Sequence, residues 1–358
     1  GGTPATFDTG SKKAESYGFS ARHDYDRREK FRTAFVLAWR EMRDTFYDGT
    51  LNHRNWDEIR RRYEPMAAEA IDERALAVVV NLMLGELNGS HLGFSIIGGR
   101  GRGGERGDAT RSWTETTAHL GVRFDLSHPG PGLKIRDVII GGPADLERSR
   151  LAAGETILAI DGTDVDPAMD LTSLLNGPLD RTIRLKVAAV DGTARDVELR
   201  PTTYGAIRSA LYDDWVRDNE RKVEELSGGR LGYLHIQGMN QPSFLKFERQ
   251  LYAVGAGKEG LVIDVRENGG GSTADHLLTA LTQPVHAMTV PRGGGIGYPQ
   301  DRKIYATWNK PIIVLCNQNS FSNAEIFSHA IKVLGRGRLV GVTTAGGVIS
   351  TGGTQILD

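Results

Sequence analysis

The chain has 358 residues, 25% charged and 39% apolar, with a formal net charge of -1. That length allows two or three domains with a real core, which excludes disorder of the whole chain. Near-zero charge excludes a nucleic-acid-binding surface spread over the whole protein. The lone Cys316 excludes an internal disulfide framework and any cysteine-based zinc site, and it reads as a core thiol in the apolar run 311–316. No stretch approaches the roughly 18 apolar residues that a membrane helix needs. The opening GGTPATFDTG shows no signal peptide and does not read as a natural start, so a leader or a further domain is expected ahead of it. Glycine, at 45 residues, is close to twice its usual share of about 7%.

Residues 1–22 lack apolar periodicity and are expected to be a loose lead-in. Residues 24–47 read as a helix capped by Asp24, with Phe31, Phe35, Ala38, Trp39, Met42 and Phe46 on one face. Two more helices are expected at 56–63 and 72–84, and Gly85 ends the second. The run GGRGRGGERG at 98–107 resembles a phosphate loop only in glycine content, since no strand-then-helix context surrounds it, and it is expected to be a linker. Residues 119–204 show short alternating strands at 121–124, 133–140, 156–160, 183–189 and 196–199, a helix at 168–175, and Asp-Gly turn signals at 161–162 and 191–192. From residue 230 the pattern becomes α/β, with strands at 230–237, 260–265, 311–316 and 338–342. Helices are expected at 206–226, 242–255, 273–282 and 323–334. Such alternation predicts a mostly parallel sheet covered on both faces.

Two places in this last part share one design, in which a buried strand runs into a glycine-rich or polar turn and then a helix. They are LVIDVRENGGG at 261–271 and IIVLCNQNSFSN at 312–323. Ligands sit beyond the carboxyl ends of strands in open α/β sheets. Helix N-termini there present unpaired N–H groups that can hold a developing oxyanion. The alternative is a structural turn with no ligand. Ser322, heading the second helix, reads equally as an N-cap or as a nucleophile, and a nucleophile needs a general base. His329 lies two turns along the same helix, too far to touch Ser322. His276 could line the cleft, and His91 follows Ser90 in a polar loop. The chain holds no GxSxG elbow and no HExxH motif, against an ordinary α/β-hydrolase and a zinc protease of that type.

From about Phe31 onward, these residues resemble the tricorn protease core and, more distantly, the carboxy-terminal processing (tail-specific) proteases. The first block, WREMRDTFY at 39–47 through GELNGSH at 85–91, is similar to the helical tricorn segment whose Ser-His pair serves catalysis. The second, LGVRF at 120–124 with GPA at 142–144 and LAAGETILAIDG at 151–162, resembles a PDZ domain. Leu120, Gly121 and Val122 then stand in its carboxylate-binding loop. The third resembles the family's oxyanion loop at 264–271 and, in SFSNAEI at 320–326, its nucleophile motif.

The resemblance implies roles. Ser322 attacks the peptide carbonyl, His91 acts as base and then acid, and Ser90 orients His91. The N–H groups of Gly270 or Gly269 and of Asn323 form the oxyanion hole. Tail-specific proteases use a lysine about 25 residues after the serine. Gly347 stands there, which disfavours a Ser–Lys dyad. The tricorn relay ends in a downstream glutamate, but beyond Glu325, a poor substitute on the motif helix, no glutamate follows Ser322. The chain is therefore expected to be C-terminally incomplete, lacking the relay acid and weak in activity. Asn323 replaces the acid expected after the nucleophile, and 285–290 carries no acid, so a preference for basic residues does not carry over.

The expected architecture is a multi-domain α/β protein. It has a helical N-terminal domain (1–97), a Gly/Arg-rich linker (98–118), a PDZ-like domain (119–204) and a crotonase-like α/β catalytic domain (205–358). The expected function is a serine peptidase acting on unfolded proteins or oligopeptides, with no cofactor, metal, nucleic acid or membrane span. The rival reading is an inactive PDZ-containing peptide-binding protein. By resemblance, a homo-oligomer is implied. One reduced cysteine fits a cytoplasmic home, and a removed leader would permit a periplasmic one.

Overall fold

The computed structural model describes residues 3–18, 24–96, 115–284, 288–295, 298–299 and 307–357. The expected linker at 98–107 lies outside them, as do parts of the 285–290 and 293–297 segments. The chain divides into two compact units. One comprises Gly1–Gly103 with Ile349–Asp358, the other Gly104–Val348.

In the first unit the expected loose lead-in is instead a hairpin of β1 (Ala5–Asp8) and β2 (Lys13–Ser16), antiparallel and exposed throughout. Its turn is closed by the Asp8 carboxylate, which accepts from Gly10 N–H at 2.8 Å and Ser11 Oγ at 2.6 Å. Local side-chain bonding thus replaces the missing apolar pattern. Helices α1 (Arg27–Thr45), α2 (Trp56–Ala68) and α3 (Glu73–Gly85) follow. Asp26, not Asp24, caps α1: its extended backbone lets the carboxylate accept from Glu29 N–H at 3.1 Å. Helix α2 continues through Pro65, which the sequence reading placed beyond its end. The three helices enclose Phe31, Phe35, Trp39, Val80, Met83 and Leu87. Trp39 and Trp56 are joined reciprocally. Each buried indole N–H donates to the other's backbone carbonyl, at 2.9 and 3.0 Å. The returning segment 349–357 has no regular secondary structure and is bonded to α1 through Thr354 Oγ1 and Glu41 Oε1 at 2.9 Å. A reading that ran the last domain to residue 358 misses this return, because it is a contact between chain ends.

The second unit begins with β3 (Val122–Phe124), β4 (Leu133–Val138), β5 (Thr156–Ile160), β6 (Thr163–Asp164), the single turn α4 (Thr172–Leu175), β7 (Ile183–Ala188) and β8 (Ala194–Leu199). They form one antiparallel sheet in the order β3-β4-β5-β7-β8, with β6 on β5. Asp161 and Gly162 join β5 to β6 with φ of 48° and 82°, the positive pair that a tight I′ hairpin turn requires.

The α/β part follows: α5 (Tyr204–Ser227), β9 (Leu231–His235), α6 (Gln241–Ala253), β10 (Gly260–Asp264), α7 (Ala274–Thr282), the pair β11 (Met288–Thr289) and β12 (Tyr298–Pro299), β13 (Ile312–Cys316), α8 (Asn323–Val333) and β14 (Arg338–Gly341). Its sheet has the order β14-β13-β10-β9 and is parallel throughout. Because the strands are parallel, the turns leaving β9, β10 and β13 emerge on one edge. Phe244, Phe247, Leu277, Phe327, Val314 and the buried Cys316 belong to its core. Among the described residues no helix is long and apolar enough to cross a membrane.

Trp39→Phe deletes one of the paired indole donors in a packed helical core. We expect a loss of about 1–3 kcal/mol, read as a lower midpoint in thermal unfolding with native helicity retained at 20 °C.

Candidate active site

The turn after β13 places Ser322 at the head of α8 with φ 54° and ψ -119°, a conformation that L residues avoid. Such a backbone costs on the order of 1–3 kcal/mol unless its surroundings fix it. Three contacts do so. Phe321 N–H donates to the carbonyl of Asn268 at 2.9 Å, and Ser322 N–H to Glu325 Oε2 at 2.8 Å. Gly270 lies so close that a Cβ on it would sit 2.7 Å from the Ser322 Cβ, and its φ of 91° also requires glycine. Glu325 and Ile326 N–H donate to the Ser322 backbone carbonyl, at 2.8 and 3.1 Å.

Glu325 is the residue that sequence reasoning undervalued. It is 6% exposed, and its carboxylate accepts four hydrogen bonds. Oε2 takes the N–H of Ser322 and of Gly347 (2.9 Å), while Oε1 takes Thr344 Oγ1 (2.8 Å) and Gly346 N–H (2.6 Å). Burial pushes its pKa up. The hydrogen bonds from Gly346, Gly347, Thr344 and Ser322 outweigh that and hold it below the ordinary carboxylate value. With every acceptor position used, Glu325 has nothing left for a histidine relay. The signal was present in the sequence as an acid three residues into a helix headed by serine, but its partners at 344–347 are fixed only by folding.

Asn323, at the place where an acid was expected, joins the two helix heads: its Oδ1 accepts from Ala274 N–H at the start of α7, at 2.8 Å. Its own N–H and that of Gly269 donate to no acceptor among the described residues, whereas Gly270 N–H is bonded to Asn268 Oδ1 at 2.9 Å. Asn268 is fully buried and also donates from Nδ2 to the Ile236 carbonyl at 2.7 Å, so the glycine loop is pinned to β9. Gly347 packs against the Phe321 ring, where a Cβ would lie 2.0 Å from a ring carbon.

Ser90 and His91 belong to the helical unit. Ser90 Oγ and His91 Nδ1 are 3.1 Å apart, and His91 adopts a left-handed φ of 61°. Both line a cavity of about 2090 Å³ within that unit, walled by α1 and the returning segment 349–357. Of the other histidines considered, His276 packs on Phe244 at 5.3 Å and His329 is exposed. In the antiparallel sheet, Leu120 and Val122 are buried, Gly121 has φ 86°, and its N–H donates to His119 Nδ1 at 2.9 Å.

Residues 230–357 match the model of peptidase family S41, and residues 27–85 match the tricorn protease C1 domain. Residues 230–357 are thus similar to peptidase family S41, and the helical segment 27–85 to the tricorn C1 domain. It is 33% identical over 341 residues to tricorn protease homolog 1 of Streptomyces coelicolor, an alignment covering 89% of this chain and 29% of that protein. To the tricorn protease of Thermoplasma volcanium it is 28% identical over 333 residues, covering 90% of this chain and 30% of the relative. The chain thus spans about three-tenths of the length of these curated relatives. The crystal structure of the tricorn protease matches with a TM-score of 0.68 at 22% identity, over 98% of this chain and 33% of that one, which shows a shared fold.

At this site Glu325→Gln replaces two acceptor oxygens by one and sets an amide N–H against backbone donors. We expect a loss of about 1.5–3 kcal/mol. A carboxyl whose folded pKa is depressed stabilises the fold above its unfolded value, and that contribution disappears as pH falls through the folded value. The stability gap between wild type and Glu325→Gln should therefore be full near neutrality and shrink below the ordinary glutamate range. Urea unfolding at stepped pH measures it.

Proposed function

We propose that this chain carries the catalytic core of a serine peptidase of the tricorn type, with Ser322 as nucleophile and His91 as general base. The observation that carries this reading is the Ser322 backbone, held in an unfavourable conformation next to Asn323, whose N–H is unpaired like that of Gly269 in the adjoining loop. An ordinary N-cap serine needs neither feature.

His91 removes the Ser322 proton as Oγ attacks the substrate carbonyl carbon. The carbonyl oxygen becomes the oxyanion of a tetrahedral intermediate, and the N–H groups of Asn323 and Gly269 are its donors. Gly270 serves as a donor only after releasing Asn268. Collapse breaks the C–N bond, with His91 passing its proton to the leaving amine. Water, activated by the same histidine, then releases the acyl group. In this reading Ser90, at hydrogen-bond distance from His91 Nδ1, orients the imidazole. Substrates are peptides or unfolded protein chains, as the relatives' names suggest.

The antiparallel sheet is, in this reading, a PDZ-like module set between the helical and catalytic parts, with a crotonase-like arrangement in the latter. A peptide carboxylate entering at 120–122 would have to displace His119 from Gly121 N–H.

Ser322→Ala and His91→Ala should each lower kcat/KM for an unfolded protein or a fluorogenic peptide by roughly 10⁴-fold or more, with circular dichroism unchanged. Undiminished hydrolysis in Ser322→Ala would overturn the assignment.

A further inference from the structure

A second cavity, of about 510 Å³, opens at the carboxyl edge of the parallel sheet. It is lined by Tyr212 and Trp215 of α5, His235 at the end of β9, Arg266 and Glu267 after β10, and Asn317 after β13. That size lies within the range of ligand pockets, and the edge is where open α/β sheets hold their ligands.

Its walls are fixed by an internal network. His235, 4% exposed, has Nε2 2.7 Å from the Arg266 carbonyl. A carbonyl can only accept, so Nε2 carries the proton and Nδ1 accepts from Tyr212 Oη at 2.8 Å. Burial lowers the pKa of this histidine and raises the Tyr212 phenol to about 12. The Arg266 guanidinium stacks over Trp215, 5.3 Å from the ring centroid, and is bonded to the fully buried Asp264 carboxylate, which also accepts from Tyr233 Oη at 2.8 Å. Glu267 accepts from the amides of Asn317 and Asn319, both at 2.8 Å. Arg266 is thus paired with Asp264, while Glu267 is held by two neutral amides and keeps its charge; Leu211 and Gln237 complete the lining. An anionic group would meet no free cation here, while a flat apolar group would meet Trp215 and Tyr212.

The cavity shares a loop with the reacting centre. Glu267 and Gly270 are three residues apart, at most about 11 Å between Cα atoms, and Gly270 packs on Ser322. An extended peptide covers about 3.3 Å per residue, so a substrate laid along this loop reaches the cavity three or four residues from the bond being cut.

We propose that this cavity is a specificity subsite that takes an uncharged aromatic side chain of the peptide substrate, three or four residues from the scissile bond. The proposal rests on the peptidase reading above. The test uses alanine-based decapeptides with a single Phe, Lys or Asp walked through every position, assayed against the wild-type chain. Phe at one position three or four residues from the cut should raise kcat/KM roughly tenfold over Lys or Asp. That ratio should fall to near one in Trp215→Ala, and also in Leu211→Trp, which fills the cavity without removing a wall. Hydrolysis with no such Phe preference, or with a preference that both variants keep, overturns the subsite and leaves the peptidase intact. If the wild type cuts none of the peptides, calorimetry with the Ser322→Ala chain decides. Tighter binding of one Phe peptide, lost in Ser322→Ala combined with Leu211→Trp, supports the subsite although the peptidase reading fails. Equal binding of the Phe, Lys and Asp peptides overturns it.

Discussion

The buried carboxylate of Glu325 is the constraint from which the nucleophile turn is built. A buried anion is costly unless hydrogen bonds replace its lost water. Here the replacements are the Ser322 N–H at the head of α8 and three donors between Thr344 and Gly347. The same bonds that make the charge tolerable also offset the unfavourable φ of Ser322. The turn, the first turn of α8 and the segment after β14 therefore stand or fall together.

A parallel sheet then determines what this turn faces. Because β9, β10 and β13 run the same way, their following loops meet on one edge, and α7 and α8 begin there. Asn323 ties the two helix heads through its side chain and keeps its own N–H unpaired. Beside them the Tyr212–His235–Arg266–Asp264 network uses its polar groups on one another. One edge thus holds the unpaired N–H groups of Asn323 and Gly269 and, next to them, a cavity walled by Tyr212 and Trp215 that suits an aromatic group. The difference lies in which hydrogen bonds are already made.

The elements legible in the sequence were those written in local patterns. The 3.6-residue spacing of Phe31, Phe35 and Trp39 gave α1, and the strand–turn–helix runs at 261–271 and 312–323 pointed to the edge where Ser322 and Gly270 meet. Features that depend on distant partners were not legible. Glu325 takes its meaning from residues about twenty positions on, and His235 from Tyr212 and Arg266 on other elements. The hairpin at 5–16 was missed because Asp8 side-chain bonds, not alternating hydrophobicity, close it.

The choice between two catalytic designs comes down to one glycine. The resemblance to tail-specific proteases implies a lysine base where this chain has Gly347. In this fold a side chain there would collide with the Phe321 ring, and the Gly347 N–H is committed to Glu325. Lysine at 347 would therefore displace the ring next to the nucleophile and disturb the bond that helps hold it. The base proposed here, His91, comes from another element. Backbone strain points the same way. Among the described residues only nine non-glycine positions have positive φ, and they include Ser322, His91 and Glu267 of the cavity rim. Strained conformations persist where the surroundings impose them and cluster where chemistry requires an awkward angle. That both proposed reacting residues belong to so small a set is difficult to reconcile with two unrelated surface turns.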